Sequence, residues 1–362
     1  MLTIIDKYIL KRYLATFSVM LLLFIPIGII VDVSEKVNKM IENKVPIKEI
    51  ALYYVDFVIY FANILFPIFL FLSIIWFTSR LANNTEIIAI LSSGISFTRF
   101  LRPYILGATI VSVFALLMGF FLVPKASEGF KNFRYNYLIG NGKNEMRENG
   151  DVYRQISDDV YIYVSNFNTV SKVAFNFSLE KFKKDNTLDY KISAGRIKWN
   201  EKDSTYTMYE YTKRKVGILN DVLISAPQKD TVFSFDLEDL TPVVYIAETL
   251  SLGDLNKFIK KEKTRGNANI STYLVVLYKK YSVPVSAFIL TIIAVSVSSM
   301  KRRGGMGINL AVGILLAFAF VFFDKVFGVL AEKSSIPPML AVWIPNLSFG
   351  ILAIYLLRNA RR

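Results

Sequence analysis

The chain has 362 residues, 53% of them hydrophobic, and a formal charge of +14, with a mean hydropathy of +0.41. A soluble domain of this size does not need so much apolar sequence to fill one core, so these figures point to a membrane protein. There is no cysteine and no histidine, which excludes disulfides, thiolate catalysis, imidazole bases and imidazole metal ligands.

A bilayer core about 30 Å thick takes about 20 apolar residues in a helix. Six such runs occur, at residues 13–31, 57–79, 103–124, 281–300, 304–323 and 336–357. Pro26, Gly28, Pro67 and Pro284 interrupt some of them, as is common inside a bilayer. The first run follows Lys7, Lys11 and Arg12 in the manner of a signal peptide. Its apolar core is too long, and no A-x-A site follows it, so a retained anchor is expected. Beyond it come Asp32, Glu35, Lys36 and Lys39.

Between the second and third runs lies NNTEIIAILSSGISFTRF, residues 83–100, too short to span and too apolar for an ordinary loop. Thr85 is expected as N-cap, with Glu86 in the first turn where a carboxylate suits the helix dipole. Ile87, Ile88, Ile90 and Leu91 form one stripe, and Gly94 supplies a left-handed stop. The expectation is a helix of two to three turns under the membrane. It either rests on lipid or docks into a cytoplasmic partner with Glu86 as the charged contact.

After the third run, residues 125–271 are polar and about one domain in size. Alternating stretches rich in aromatic and β-branched residues recur: DVYIYV (159–164), VAFNFSL (173–179), STYTMYEY (204–211) and TVFSFDL (231–237). Turn signals at Lys184-Asp185-Asn186 and at residues 200–203 separate them. This pattern predicts an antiparallel all-β domain, a sandwich or jelly roll. It carries no nucleophile–base constellation and no metal-ligand spacing, which favours lipid or protein binding over catalysis. Residues 252–267, with Lys257, Lys260, Lys261 and Lys263, read as a solvated helix leading to the fourth run.

Lys279 and Lys280 precede the fourth run, and Asp324 and Lys325 interrupt apolar sequence after the fifth. Charges at such depth are costly and point to function. Neighbours in sequence face different sides of a helix, so Asp324 and Lys325 are not expected to pair. Lysines are suited to phosphate as point charges; for Lys36 and Lys39, plain snorkelling is the competing reading. Pro337, Pro338, Trp343, Pro345 and Asn346 read as architectural.

Twelve bases flank one set of span ends: Lys7, Lys11, Arg12, Arg80, Arg99, Arg102, Lys301, Arg302, Arg303, Arg358, Arg361 and Arg362. Only Asp6 and Glu86 oppose them, so this side holds +10 of the +14. The positive-inside rule then puts both termini and the loops after the second and fourth spans in the cytoplasm. Topology accounts for the basic balance, and no nucleic-acid partner is needed.

The run T-E-I-I-A-I-L-S-S-G-I-S resembles the coupling-helix signature of the lipopolysaccharide export permeases, the LptF/LptG (YjgP/YjgQ) family. IDKYILKRYL (5–14) is similar to that family's amphipathic approach to its first span. YKKYSVPVSAFILTIIAVSVS (278–298), KRRGGMGINLAVGILL and IPPMLAVWIPNLSFGILAIYLL match its later patterns in order. IDKYI leans toward the LptG side. The resemblance covers essentially the whole chain and implies six transmembrane helices, three on each side of a periplasmic β-jellyroll domain. The expected parts are 1–124 (three helices and a coupling helix near 84–94), 125–271 (the β domain) and 272–362 (three helices).

It further implies a non-catalytic permease subunit in the bacterial inner membrane. A cytoplasmic LptB-type ATPase dimer would drive it, a second LptF/LptG-type permease would pair with it, and lipopolysaccharide would pass to LptC/LptA-type periplasmic proteins. No cofactor is expected on this chain: Gly304-Gly305-Met306-Gly307 lacks the Lys-Ser/Thr of a phosphate loop, so ATP and Mg²⁺ would act on the ATPase. The expected coupling residues are Glu86, Ile87, Ile90, Leu91 and Gly94. Those for substrate are Lys36, Lys39, Lys279, Lys280, Asp324 and Lys325. Basic residues at the end of the first span are implied as substrate contacts, yet Asp32 stands directly after its apolar core. Two other classes compete: a membrane-embedded lipid-modifying enzyme, disfavoured because the spans hold almost no acids, and a sensor or scaffold signalling through the short helix.

Overall fold

The computed structural model describes residues 2–139, 152–168, 171–200, 203, 205–217, 219–233, 235, 245–267, 269–299, 305–334 and 336–360. Two compact units are present, one of residues 1–38, 46–130 and 271–362, the other of residues 39–45 and 131–270.

Six helices are long and apolar enough to cross a membrane. Helix α1 is Ile4–Glu42 and α2 is Ile47–Asn83. The short α3 is Glu86–Ser92, and α4 is Phe97–Leu117. A π-helical turn, Met118–Leu122, joins α4 to α5 (Val123–Phe133), and a second π turn follows at Arg134–Leu138. Past the strands come α6 (Ile246–Thr249), α7 (Leu252–Thr264), α8 (Ile270–Ser298), α9 (Gly305–Lys333) and α10 (Pro338–Ala360). At 1.5 Å per residue, the 39 residues of α1 extend about 58 Å, well beyond the hydrocarbon.

The third long helix does not stop at Pro124 as the sequence suggested. Proline has no N–H to donate backwards, and the π turn before it shifts the ladder so that a carbonyl is left over. Gly119 O accepts instead from Lys280 Nζ at 3.0 Å. The helix therefore continues into residues expected to belong to the β domain.

In the membrane-spanning unit, Leu70, Phe71, Ile75, Ile293, Ala294 and Val295 lie wholly inside, and Ile87 of α3 joins the same cluster. Hydrocarbon supplies no hydrophobic drive between helices, so close packing and polar contacts hold them together. Tyr13 and Thr291 hydroxyls meet at 3.2 Å, Thr78 and Tyr104 at 3.1 Å, and Ser112 donates to Pro284 O at 2.9 Å. The best-enclosed span is α8, with 67% of its most apolar window buried; α1 has 6% and α9 17%. Few residues in those windows of α1 and α9 are fully buried within this chain, and Val19, Leu22, Ile30, Leu315, Phe318 and Phe322 are each more than half exposed.

The other unit holds six antiparallel strands in chain order: β1 Val152–Ser157, β2 Val160–Asn168, β3 Val173–Phe182, β4 Leu188–Asn200, β5 Thr205–Lys215 and β6 Val222–Thr231. The inserted antiparallel domain is as expected, and its described strands form an up-and-down meander. Val164, Phe177, Tyr206 and Met208 fill its core. Alternation slips where Asn176 and Glu210 take left-handed φ of +50° and +58°; at Asn176 the register against β2 shifts as well, and Ala174 and Phe177, three apart, are both buried. The expected strand at 231–237 ends at Thr231; Phe233 and Phe235 stack at 4.9 Å against the core instead, and residues 234, 236 and 237 lie outside the described set. So do the basic residues 301–303, 361 and 362.

Helix α7 corrects a second expectation. Its four lysines are exposed, but Leu255, Ile259 and Glu262 are buried. Glu262 pairs with buried Arg154 of β1 and accepts from Asn267. One face of α7 is therefore part of the domain rather than solvated.

Gly107 of α4 lies where a Cβ would sit 2.7 Å from the ring of buried Tyr13. Gly107→Val should lower stability in detergent by about 1–3 kcal/mol, read as a fall in thermal midpoint, with membrane insertion retained.

Candidate functional site

Two groups of polar side chains lie in the membrane-spanning unit, one at the basic ends of the spans and one toward their other ends. The first is built around α3. Thr85 precedes it with φ +60° and makes no capping bond through its side chain; its hydroxyl donates back to Asn84 O. The expected N-cap is thus a strained left-handed β-branched residue, which costs on the order of 1 kcal/mol. Gly94 ends the helix with φ +90° as expected, its N–H donating to Leu91 O at 3.1 Å. The helix hangs between two left-handed residues.

The isoleucine stripe divides. Ile87 is buried, Ile90 and Leu91 pack partly against the same core, and Ile88 is 51% exposed. A two-turn helix cannot aim all four one way: Ile88 stands about 100° from Ile87. Glu86 is half-buried and accepts from Tyr8 Oη of α1 at 3.3 Å and from Asn84 Nδ2 at 3.1 Å.

Nearby, Arg99 of α4 grips Asp6 of α1 through two parallel bonds of 2.7 and 2.6 Å. Asp6 is 3% exposed and also accepts from Thr3 N at 2.8 Å. A bidentate arginine–carboxylate pair fixes geometry as well as charge. Sequence reasoning counted Asp6 only as an acid among twelve bases, and read Glu86 as a charged contact for a partner. The structure gives each a partner on a distant part of the chain, 93 and 78 positions away. Local spacing holds no signal for either.

At the other ends of the spans, Asp32 is buried and pairs with Lys36 one turn on. Tyr53 Oη of α2 donates to Asp32 at 2.9 Å, and Lys36 Nζ reaches Tyr53 Oη at 3.1 Å. The ammonium also stands 5.8 and 5.9 Å from the ring centres of Tyr53 and Phe130, within cation–π range. Asp32, which looked like a departure from a basic site, is the counter-ion that holds Lys36. Lys279 of α8 bonds Asp324 of α9 at 2.9 Å, both about a quarter exposed. Gly328, one turn along from Asp324, gives the lysine room; a Cβ there would lie 3.2 Å from Nζ.

The expected lysines have different partners. Lys36 and Lys279 belong to separate ion pairs, Lys280 binds the π-turn carbonyl, and Lys325 is exposed with no ion pair among the described residues. Asp324 pairs with Lys279 and not with Lys325, as the helix geometry required. In the other unit, Lys39 donates to Leu138 O at 3.1 Å. Tyr53 and Tyr8 were missed, because an aromatic in an apolar helix carries no mark of what its hydroxyl reaches. Among the described residues no group of three or more acids gathers as a metal site would need.

The sequence model described as lipopolysaccharide export system permease LptF/LptG matches residues 7–359. The lipopolysaccharide export system permease protein LptG of Escherichia coli K12 is 21% identical over 98% of both chains. The protein of the same name from Haemophilus influenzae Rd is 21% identical over the full length of both.

The Lys279–Asp324 pair gives a direct energetic test. Lys279→Met should lower stability by about 1–3 kcal/mol by leaving a half-buried carboxylate unpaired. Lys279→Met with Asp324→Leu should recover most of that loss, as read by thermal unfolding of the purified protein in one detergent.

Proposed function

The chain belongs to the LptF/LptG family of lipopolysaccharide export permeases, and on that premise we propose how its parts serve export. It is a non-catalytic, multi-pass membrane subunit of a lipopolysaccharide export system. In this account the basic span ends, with both termini, face the cytoplasm, and the 125–271 segment carrying the sheet is periplasmic. The chain draws lipopolysaccharide from the outer leaflet of the inner membrane and passes it to the β domain and then to LptC/LptA-type proteins. An LptB-type ATPase dimer supplies the energy.

The observation that carries this reading is the two-sided seating of α3. Ile87 is embedded in the core of the spans while Ile88 faces outward, between two left-handed residues. A push on the exposed side is delivered to the membrane helices through Ile87, Ile90 and Leu91 and through Glu86 to Tyr8 on α1. Glu86 thus serves coupling by holding α1 as well as by meeting the partner. Gly94 permits the rotation that such a push requires.

Exposed apolar side chains toward the second half of α1 (Ile27, Ile30, Val31) and along α9 (Leu315, Phe318, Phe322) support pairing with a second LptF/LptG-type permease there. The relatives carry the LptG name, which agrees with the lean of IDKYI and supports an LptG-like place in that pair. For substrate, Lys36 and Lys279 exchange Asp32 and Asp324 for lipid phosphates, ionised acceptors of the same charge-assisted kind; Lys325, with no ion pair among the described residues, does so directly, while Lys39 and Lys280 take part only by leaving their carbonyls. Edge strand β6, with Val222, Leu223 and Ile224 each more than half exposed, supports handover by strand-to-strand addition.

Ile88→Glu should leave insertion intact and reduce recovery of the ATPase with the purified permease about tenfold or more, since one desolvated charge costs more than the 1.4 kcal/mol behind that factor. Glu86→Ala should weaken both docking and transport. Full recovery of the ATPase and unchanged transport in both variants would contradict coupling through α3. Lys36→Glu should lower photo-crosslinking to lipopolysaccharide several-fold; unchanged crosslinking would return Lys36 to a structural role.

A further inference from the structure

Beside α3, Arg12 of α1 and Arg80 of α2 line a cleft with Tyr8, Thr16, Trp76 and Glu86. Neither arginine takes part in the coupling or substrate contacts proposed above. Both are exposed, and neither guanidinium is in an ion pair among the described residues. Arg12 stands 5.6 Å from the centre of the Tyr8 ring. Among the described residues the one acid lining the cleft is Glu86, whose oxygens already accept from Tyr8 and Asn84. Two cations therefore face one engaged carboxylate.

The space measures about 150 Å³, which is room enough for a phosphate group. What adjoins it decides the kind of phosphate. On α1, Thr16, Val19 and Leu23 follow Arg12 in steps of four, three and four along one face. Val19 is 58% and Leu23 53% exposed. On α2, Trp76 lies one turn from Arg80 and is 41% exposed, a position typical of the boundary between headgroups and hydrocarbon. A cationic pocket opening onto an uncovered apolar stripe is matched by an amphiphile; a soluble phosphate would leave the stripe unused.

We propose that this cleft is a binding site for a membrane phospholipid of the leaflet at the basic span ends, its phosphate held by Arg12 and Arg80 and an acyl chain lying along Thr16, Val19 and Leu23. Arginine suits the role because its fork meets two phosphate oxygens at once. The bound lipid sits against Tyr8 and Glu86, the contact joining α3 to α1, so it braces the coupling helix from the membrane side. Assignment to the cytoplasmic leaflet rests on the orientation proposed above; the pocket itself does not.

The test uses the whole transporter, with its second permease and ATPase, in nanodiscs of phosphatidylethanolamine containing a minor fraction of phosphatidylglycerol with a photoreactive acyl chain. Labelling should fall on peptides covering residues 8–23 and 76–86. It should drop about tenfold or more in Arg12→Gln/Arg80→Gln, stay unchanged in Lys11→Gln, and survive millimolar inorganic phosphate. Arg12→Lys/Arg80→Lys, which keeps the charge, should retain part of the labelling and shows that the pocket is still formed. Undiminished labelling in the glutamine variant, an equal loss in Lys11→Gln, or displacement by inorganic phosphate would overturn the proposal. So would labelling that appears only after the ATPase is removed, which would make the arginines a contact for an acidic protein surface. Orientation is read separately. With no native cysteine, Ser93→Cys should react with an impermeant maleimide only from the ATPase side; the opposite result would refute the orientation and leave the lipid result standing.

Discussion

Hydrocarbon offers a charge no partner, and the rest of the membrane-spanning unit follows from that. Six spans with few charges must be cut, shaped and tied together by groups at their ends. At the basic ends a buried carboxylate, Asp6, is neutralised by a two-point grip from Arg99, which locks the start of α1 to the start of α4. Toward the other ends, Asp32 takes Lys36 and Tyr53, and Asp324 takes Lys279. The interior between is held by small hydroxyl contacts and close packing, with helices allowed as near as Gly107 permits. Charge pairing at the ends and close packing in the middle tie the spans to one another.

Much of this was legible in the sequence, and the exceptions have physical causes. Span number, the intervening antiparallel domain, the short helix and its stop at Gly94 all rest on local composition and periodicity. Those are the properties hydrocarbon and the pleat select for directly. The third helix outran its expected end because a π turn and Lys280, 161 residues from Gly119, supply what Pro124 lacks. A proline reads as a stop only until its carbonyl partner finds another donor. Helix α7 looked solvated because four lysines mark its outer face, while its buried Glu262 is set by Arg154, 108 positions away.

The polar sites show the limit more sharply. Residue type and depth picked out Lys36, Lys279 and Asp324, but partnership is a long-range property. The sequence marked Lys36 and Asp32 as separate and partly contradictory features; Tyr53 and the one-turn spacing make them a single unit. Likewise Glu86, expected as the charged contact of a lone helix, also accepts from Tyr8, the fifth residue of α1. The same reasoning that reads an unpaired charge as functional therefore needs the fold first, to say which charges are unpaired.

The central claim is that force received at α3 travels to the far ends of the spans through the contacts at their basic ends. Pulsed electron resonance on the assembled transporter tests it directly, with spin labels on Phe121→Cys and Val329→Cys, both more than half exposed. The label separation should change when the ATPase is trapped with nucleotide. That change should vanish in Asp6→Asn/Arg99→Gln, with the ATPase still bound. A nucleotide-driven change that persists undiminished in the double variant would contradict the account.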